Sequence, residues 1–212
     1  MNFIKLGSNK MNEILNLLNL KIDSNQKYIL FSLFISGLLI TYISPMFTKI
    51  VITALPPEWI AFENLFASVS VFIIGVLWKG NIRKSAIKYF VAFCIFETIA
   101  GFLLTLYLLL IEFNVWVYAI FSLIYTSFIS IFVGKCIMAF KTKLWNEENR
   151  EIYDNNSSMI ASLTCIVGFL LALFFMPSLE LSLILWAIAC IVDDIGWVIV
   201  YIKNKKVLTT FN

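Results

Sequence analysis

Histidine is absent from all 212 residues, and that absence excludes more chemistry than any single residue present supports. It removes His-ligated metals, haem held by His, His-based triads and His proton relays. Cysteine is scarce and scattered. Cys94, Cys136, Cys165 and Cys190 stand singly inside apolar runs, without the paired spacing of a zinc site or a disulfide framework, and read as small packing residues. The chain also lacks a phosphate-cradling glycine loop and a nucleophile-elbow serine, so no enzyme class is supported and neither metal nor cofactor is implied. Charge is thin as well, at 14% of residues.

What the chain has instead is apolar length. Hydrophobic residues make up 61% and aromatics 16%, and the mean hydropathy is +0.91. A soluble domain of this size can neither expose nor bury so much apolar surface, so the sequence predicts an integral membrane protein. The runs are long and unbroken rather than alternating, which selects helices over a barrel. One helical crossing takes about 20 residues, and the length allows roughly five to seven. Six are expected, at about 29–54, 58–78, 88–111, 115–140, 159–177 and 181–202. They form one membrane domain over 28–203, with polar loops at 79–88 and 141–158 and a tail at 204–212. Residues 1–27, with Ile14, Leu15, Leu17, Leu18 and Leu20 on one stripe, are expected as an amphipathic segment on the membrane surface.

Lys141–Ser158 is the only long polar interruption, and it fixes a reference side. Every Lys and Arg except Lys49 and Lys135 falls on that side, whereas the short loops near 55–58, 112–114 and 177–180 carry none. The net charge of +3 is therefore a topology signal rather than a nucleic-acid surface, and the positive-inside rule puts both termini in the cytoplasm. Trp59, Trp78, Trp116, Trp145 and Trp197 lie near the ends of apolar runs and read as interface anchors.

Ionisable side chains inside apolar helices are expensive and mark function by default. Lys49 and Glu63 lie at similar depth, roughly 8 Å from the outer ends of their helices, and suit an outer gate. Glu97, Lys135, Asp193 and Asp194 group toward the opposite side. Adjacent aspartates point about 100° apart and cannot both meet one cation, so one is expected to carry a proton or face water. The matched depths of Lys49 with Lys135 and of Glu97 with Asp193 predict two inverted three-helix repeats.

The run from Phe128 to Tyr201 resembles the second half of the N-terminal domain of a major facilitator superfamily transporter. It has an apolar helix, a link with Glu148 and Arg150, the run Tyr153-Asp154-Asn155-Asn156-Ser157, and Gly168 in the next helix. Gly75, Arg83 and Lys84 are similar in place to the family's loop between its second and third helices, although the acidic residue usual after the glycine is missing. The fifth helix also lacks the family's proline–glycine pairing. The resemblance implies a six-helix half of a transporter in a bacterial plasma membrane, moving a small amphipathic or apolar solute and working as a homodimer or with a second membrane subunit. It gives Glu97, Asp193 and Asp194 to proton coupling, Lys135 to their counter-ion, and Arg83, Arg150 and Asp154 to a cytoplasmic latch. Two alternatives stay open: a substrate-capture subunit of a multi-component vitamin importer, and a non-transporting accessory or immunity protein.

Overall fold

A computed structural model describes residues 23–110, 113–124 and 130–210. Every element among them is a helix. In chain order these are α1 (Ser24–Ala54), α2 (Glu58–Leu77), α3 (Gly80–Lys88), α4 (Phe90–Leu110), α5 (Val115–Ile124), α6 (Ser130–Leu144), α7 (Glu147–Phe174) and α8 (Leu179–Thr209). Five of them, α1, α2, α4, α7 and α8, are long and apolar enough to cross a membrane. The expected crossing at 115–140 is represented by α5 and α6, with 125–129 outside the described residues. The surface segment expected over 1–27 lies outside them as well, apart from its last few residues.

Local chemistry sets the helix ends. Asp23 caps α1 through its carboxylate, which accepts from the Asn25 amide at 2.9 Å, and α1 stops at the extended Leu55 because Pro56 follows. Asn146 caps α7, with Glu147 and Glu148 in the favoured first turn, and Ser178 caps α8 above Glu180. The cap at Asn146 explains a departure from the sequence reading. Residues 141–158 look like an aqueous link, yet all but Trp145 and Asn146 are helical, and most of the polar stretch is the first turns of α7.

At the centre, α1 lies antiparallel to α8 and parallel to α7. Gln26 Nε2 donates to the Asn149 carbonyl at 3.1 Å at one end of the parallel pair, and Tyr42 donates to the Phe175 carbonyl at 2.8 Å near the other. Small residues let these backbones approach. A methyl group at Gly168 would sit 2.7 Å from Thr41 Cβ and 3.1 Å from the Tyr42 amide nitrogen. One at Gly196 would collide with Ser32 Oγ and lie 2.6 Å from the Tyr28 carbonyl oxygen. Such contacts are how apolar helices gain dispersion energy where lipid supplies no hydrophobic drive. Outside this centre α4 packs on α8, while α2, α5 and α6 are held more loosely. Ser70 and Ile74 are the buried residues of α2, and large apolar side chains such as Leu65, Phe72, Phe96, Phe102, Leu173 and Phe174 face outward. An exterior of this kind suits hydrocarbon rather than water.

Two clusters fill the interior. One, at the end that carries the basic residues, joins Ile29, Phe90, Phe140, Trp145, Tyr153, Trp197 and Tyr201. The other, toward the neutral end, joins Ile43, Phe47, Leu104, Leu108 and Leu183.

The glycine contacts give a contrast in stability. Gly196→Ala forces backbone against backbone and should destabilise by about 1–3 kcal/mol. Gly75→Ala meets nothing within 4 Å and gains about 0.5–1 kcal/mol of helix propensity. Unfolding of both variants in detergent, followed by circular dichroism, checks the pair; equal midpoints would mean that α1 and α8 do not meet at Gly196.

Candidate functional site

Three acidic side chains from two helices meet at one cavity. Glu97 of α4 and Asp193 and Asp194 of α8 line a space of about 290 Å³ at the basic end, closed by Ile29, Ser32 and Leu33 of α1, Gly134 and Lys141 of α6, and Tyr153 of α7. Trp197 shares the wall because it follows Asp193 by one helical turn.

The two aspartates have different surroundings. Asp193 is open to the cavity, and its Oδ1 accepts from Ser36 Oγ at 2.8 Å. Asp194 is only 5% exposed, and Glu97 of α4, on the wall of the same cavity, is 4% exposed. Asp194 Oδ2 is left buried without a hydrogen-bond partner. A buried oxygen of this kind costs about 1–3 kcal/mol, a cost a fold carries at a working site.

The mouth of the cavity is ionic. Lys141 Nζ lies 2.7 Å from Asp154 Oδ1 and 4.4 Å from the centre of the Tyr153 ring. Tyr153 stacks on Trp145 at 4.9 Å, and the Trp145 indole donates to Asp23 Oδ2 at 2.9 Å, tying the start of α1 to the α6–α7 turn.

A second cavity, of about 370 Å³, opens near the neutral end among Ser44, Phe47, Thr48, Trp59, Glu63, Tyr118 and Trp186. Along α1 the two spaces are separated between Leu33 and Ile40, and along α8 between Asp193 and Trp186, about two helical turns or ~10 Å in each case. Small residues occupy that interval, including Gly37 against Thr164 and Gly101 against Cys190.

The structure thus brings Glu97, Asp193 and Asp194 together. Lys135 is half-buried beside Gly134 but does not line their cavity, and among the described residues it makes no ion pair. Lys141 is the lysine on the wall of their cavity, and it pairs with Asp154 rather than with them. Glu63 lines the neutral-end cavity while Lys49 is exposed outside it, and no ion pair joins them. Asp154 pairs with Lys141 rather than with Arg83 or Arg150. Arg150 Nε is buried without a partner, and Arg83 lies near Lys143, whose amine is held below the ordinary lysine value by burial first and then by the Arg83 charge. Lys143 in turn donates to the Leu208 and Thr210 carbonyls at the end of α8, a favourable place for a cation.

Neither a family model, nor a curated protein, nor a solved structure matches this chain. The site therefore stands on its own geometry.

Sequence reasoning missed Lys141, Tyr153, Trp197 and the serines of α1. One signal was available: Asp193 and Trp197 are spaced for one face of a helix, so a tryptophan taken for an interface anchor was already beside the acidic pair.

Access to the two cavities can be tested from either side of a membrane. Gly134→Cys has open space for its side chain, and Ser44→Cys lines the opposite cavity. In sealed vesicles a membrane-impermeant maleimide should label position 134 from the basic face and position 44 from the other. Labelling of both from one face would mean that the cavities do not open at opposite ends.

Proposed function

We propose that this chain is a membrane transporter of facilitator type, carrying a small amphipathic or apolar solute in exchange for protons. The observation that carries the reading is the convergence of Glu97, Asp193 and Asp194 on a cavity inside a bundle of apolar helices, with a second cavity reaching toward it from the other end. Acidic groups at that depth are costly, and a proton relay is the function that uses the cost. Glu97 and Asp194 hold the proton, Asp193 receives or releases it at the open wall, and Lys141 with Asp154 forms the polar mouth.

The finer expectations belong to this reading. Six crossings arranged as two inverted three-helix repeats, with both termini in the cytoplasm of a bacterial cell, put the acidic cavity on the cytoplasmic side and Glu63 on the outer side. Six helices are half of a facilitator-type transporter, so two copies complete the working unit. The nearly unburied α2 and the outward face of α7 offer surface for the second copy or for lipid.

Two measurements test it. Native mass spectrometry of the detergent-extracted protein should give twice the chain mass. In proteoliposomes with an imposed pH gradient and an interior pH dye, a panel of small amphipathic solutes should include one that drives proton flux, and Asp194→Asn should cut that flux by about tenfold or more. A monomer, or flux unaltered in both Asp193→Asn and Asp194→Asn, counts against the proposal.

A further inference from the structure

The acidic cavity also carries information about what it binds. Its charges do not balance internally. Three acidic side chains line it, and the one basic side chain on the wall, Lys141, is already paired with Asp154. Asp194, a side chain 95% buried on this wall, keeps Oδ2 without a hydrogen-bond partner, and Asp193 beside it is open to the space. An oxygen so placed calls for a donor from outside the chain.

The wall chemistry narrows the donor. Among the described residues no group of three or more acidic or sulfur ligands is arranged to hold a metal ion. Tyr153 and Trp197 instead provide aromatic surface beside the carboxyls, the combination that favours an organic cation. The protein supplies its own example at the mouth, where the Lys141 ammonium rests against the Tyr153 ring while bonded to a carboxylate. A volume of about 290 Å³ is at the small end for ligand sites and suits one ring or a short chain.

We infer that the basic-end cavity binds a compact organic monoamine as its ammonium cation, with Asp193 and Asp194 taking the charge and Trp197 and Tyr153 the apolar body. The inference rests on the transport reading for its meaning, since the amine would be the carried solute. It also narrows that reading from an amphipathic solute to a cationic one. Lys141 acts as a tethered competitor at the entrance.

Isothermal titration of the purified full-length chain with 2-phenylethylamine and its uncharged analogue 2-phenylethanol tests this directly. The amine should bind at least about tenfold more tightly than the alcohol, Lys141→Gln should tighten amine binding several-fold, and Asp194→Asn should weaken it by about tenfold or more. The opposite signs of the two variants separate a ligand site from a general loss of folding. Equal affinity for amine and alcohol, or heat with sodium chloride and none with the amine, overturns the inference. Amine binding without flux in proteoliposomes upholds the site and removes the transport reading, whereas proton-coupled flux of another solute with no amine binding removes this inference alone.

Discussion

The close approach of α1 to its two neighbours is the constraint on which the rest depends. Helices in an apolar medium gain little from exposing or burying leucine, so register is set where backbones touch and polar side chains find partners. At Gly168 the Thr41 side chain fills the space a methyl would occupy, and the Thr41 hydroxyl lies within reach of both the Gly37 and the Thr164 carbonyls. At Gly196 the partners are Ser32 and the backbone of Tyr28 and Ile29. Sliding α1 by one turn along α8 would break that fit and carry Ser36 away from Asp193. The glycines thereby position the acidic cavity without touching it.

That positioning explains why the fold tolerates carboxyl groups at this depth. The aromatic cluster of Phe90, Phe140, Trp197 and Tyr201 lies close to them at the basic end, and the polar first turns of α7 run beside α1 where α1 is already apolar. Asn149 is level with Gln26, and Thr164 with Thr41, so Asp154 and Ser157 stand beside the stretch of α1 that begins at Tyr28. Asp193 is exposed and Asp194 is buried, so neighbouring residues of one sequence pair have different surroundings on the same cavity.

Much of this was legible in the sequence, and what was missed has a common cause. Apolar length gave the helical class and placed α2 and α4 within two residues at each end, whereas α7 begins twelve residues before the expected crossing and α8 ends seven after it. The cost of intramembrane charge singled out Glu97, Asp193 and Asp194 before any contact was known. Depth along a helix is readable from residue number, but azimuth around the bundle is not. Lys135 and Lys141 illustrate the difference: both lie on α6, and depth alone favours Lys135, whereas packing turns Lys141 into the cavity. Likewise Lys49 and Glu63 share a depth without sharing a face. The helical character of 141–158 was hidden by composition, because polarity signals solvent while the Asn146 cap and its following glutamates signal a helix start.

The packing also bears on how such a molecule could alternate between its two ends. Helices α1, α7 and α8 approach too closely to slide, and α4 is fastened to α8 along much of its length. Helices α2, α5 and α6 touch this core through fewer contacts. Both cavities lie on the seam between the two groups, the neutral-end one between α1 and α8 on one wall and α2 and α5 on the other, the basic-end one between α1, α4 and α8 and the face of α6. On the proposed transport reading, a rocking of the loose group across the fixed one would close the first space as it opens the second, because a single seam cannot widen at both ends about a pivot between them. On the same reading, Glu97, Asp193 and Asp194 line the basic-end space on that seam, where a change in their charge alters the energy of opening it directly.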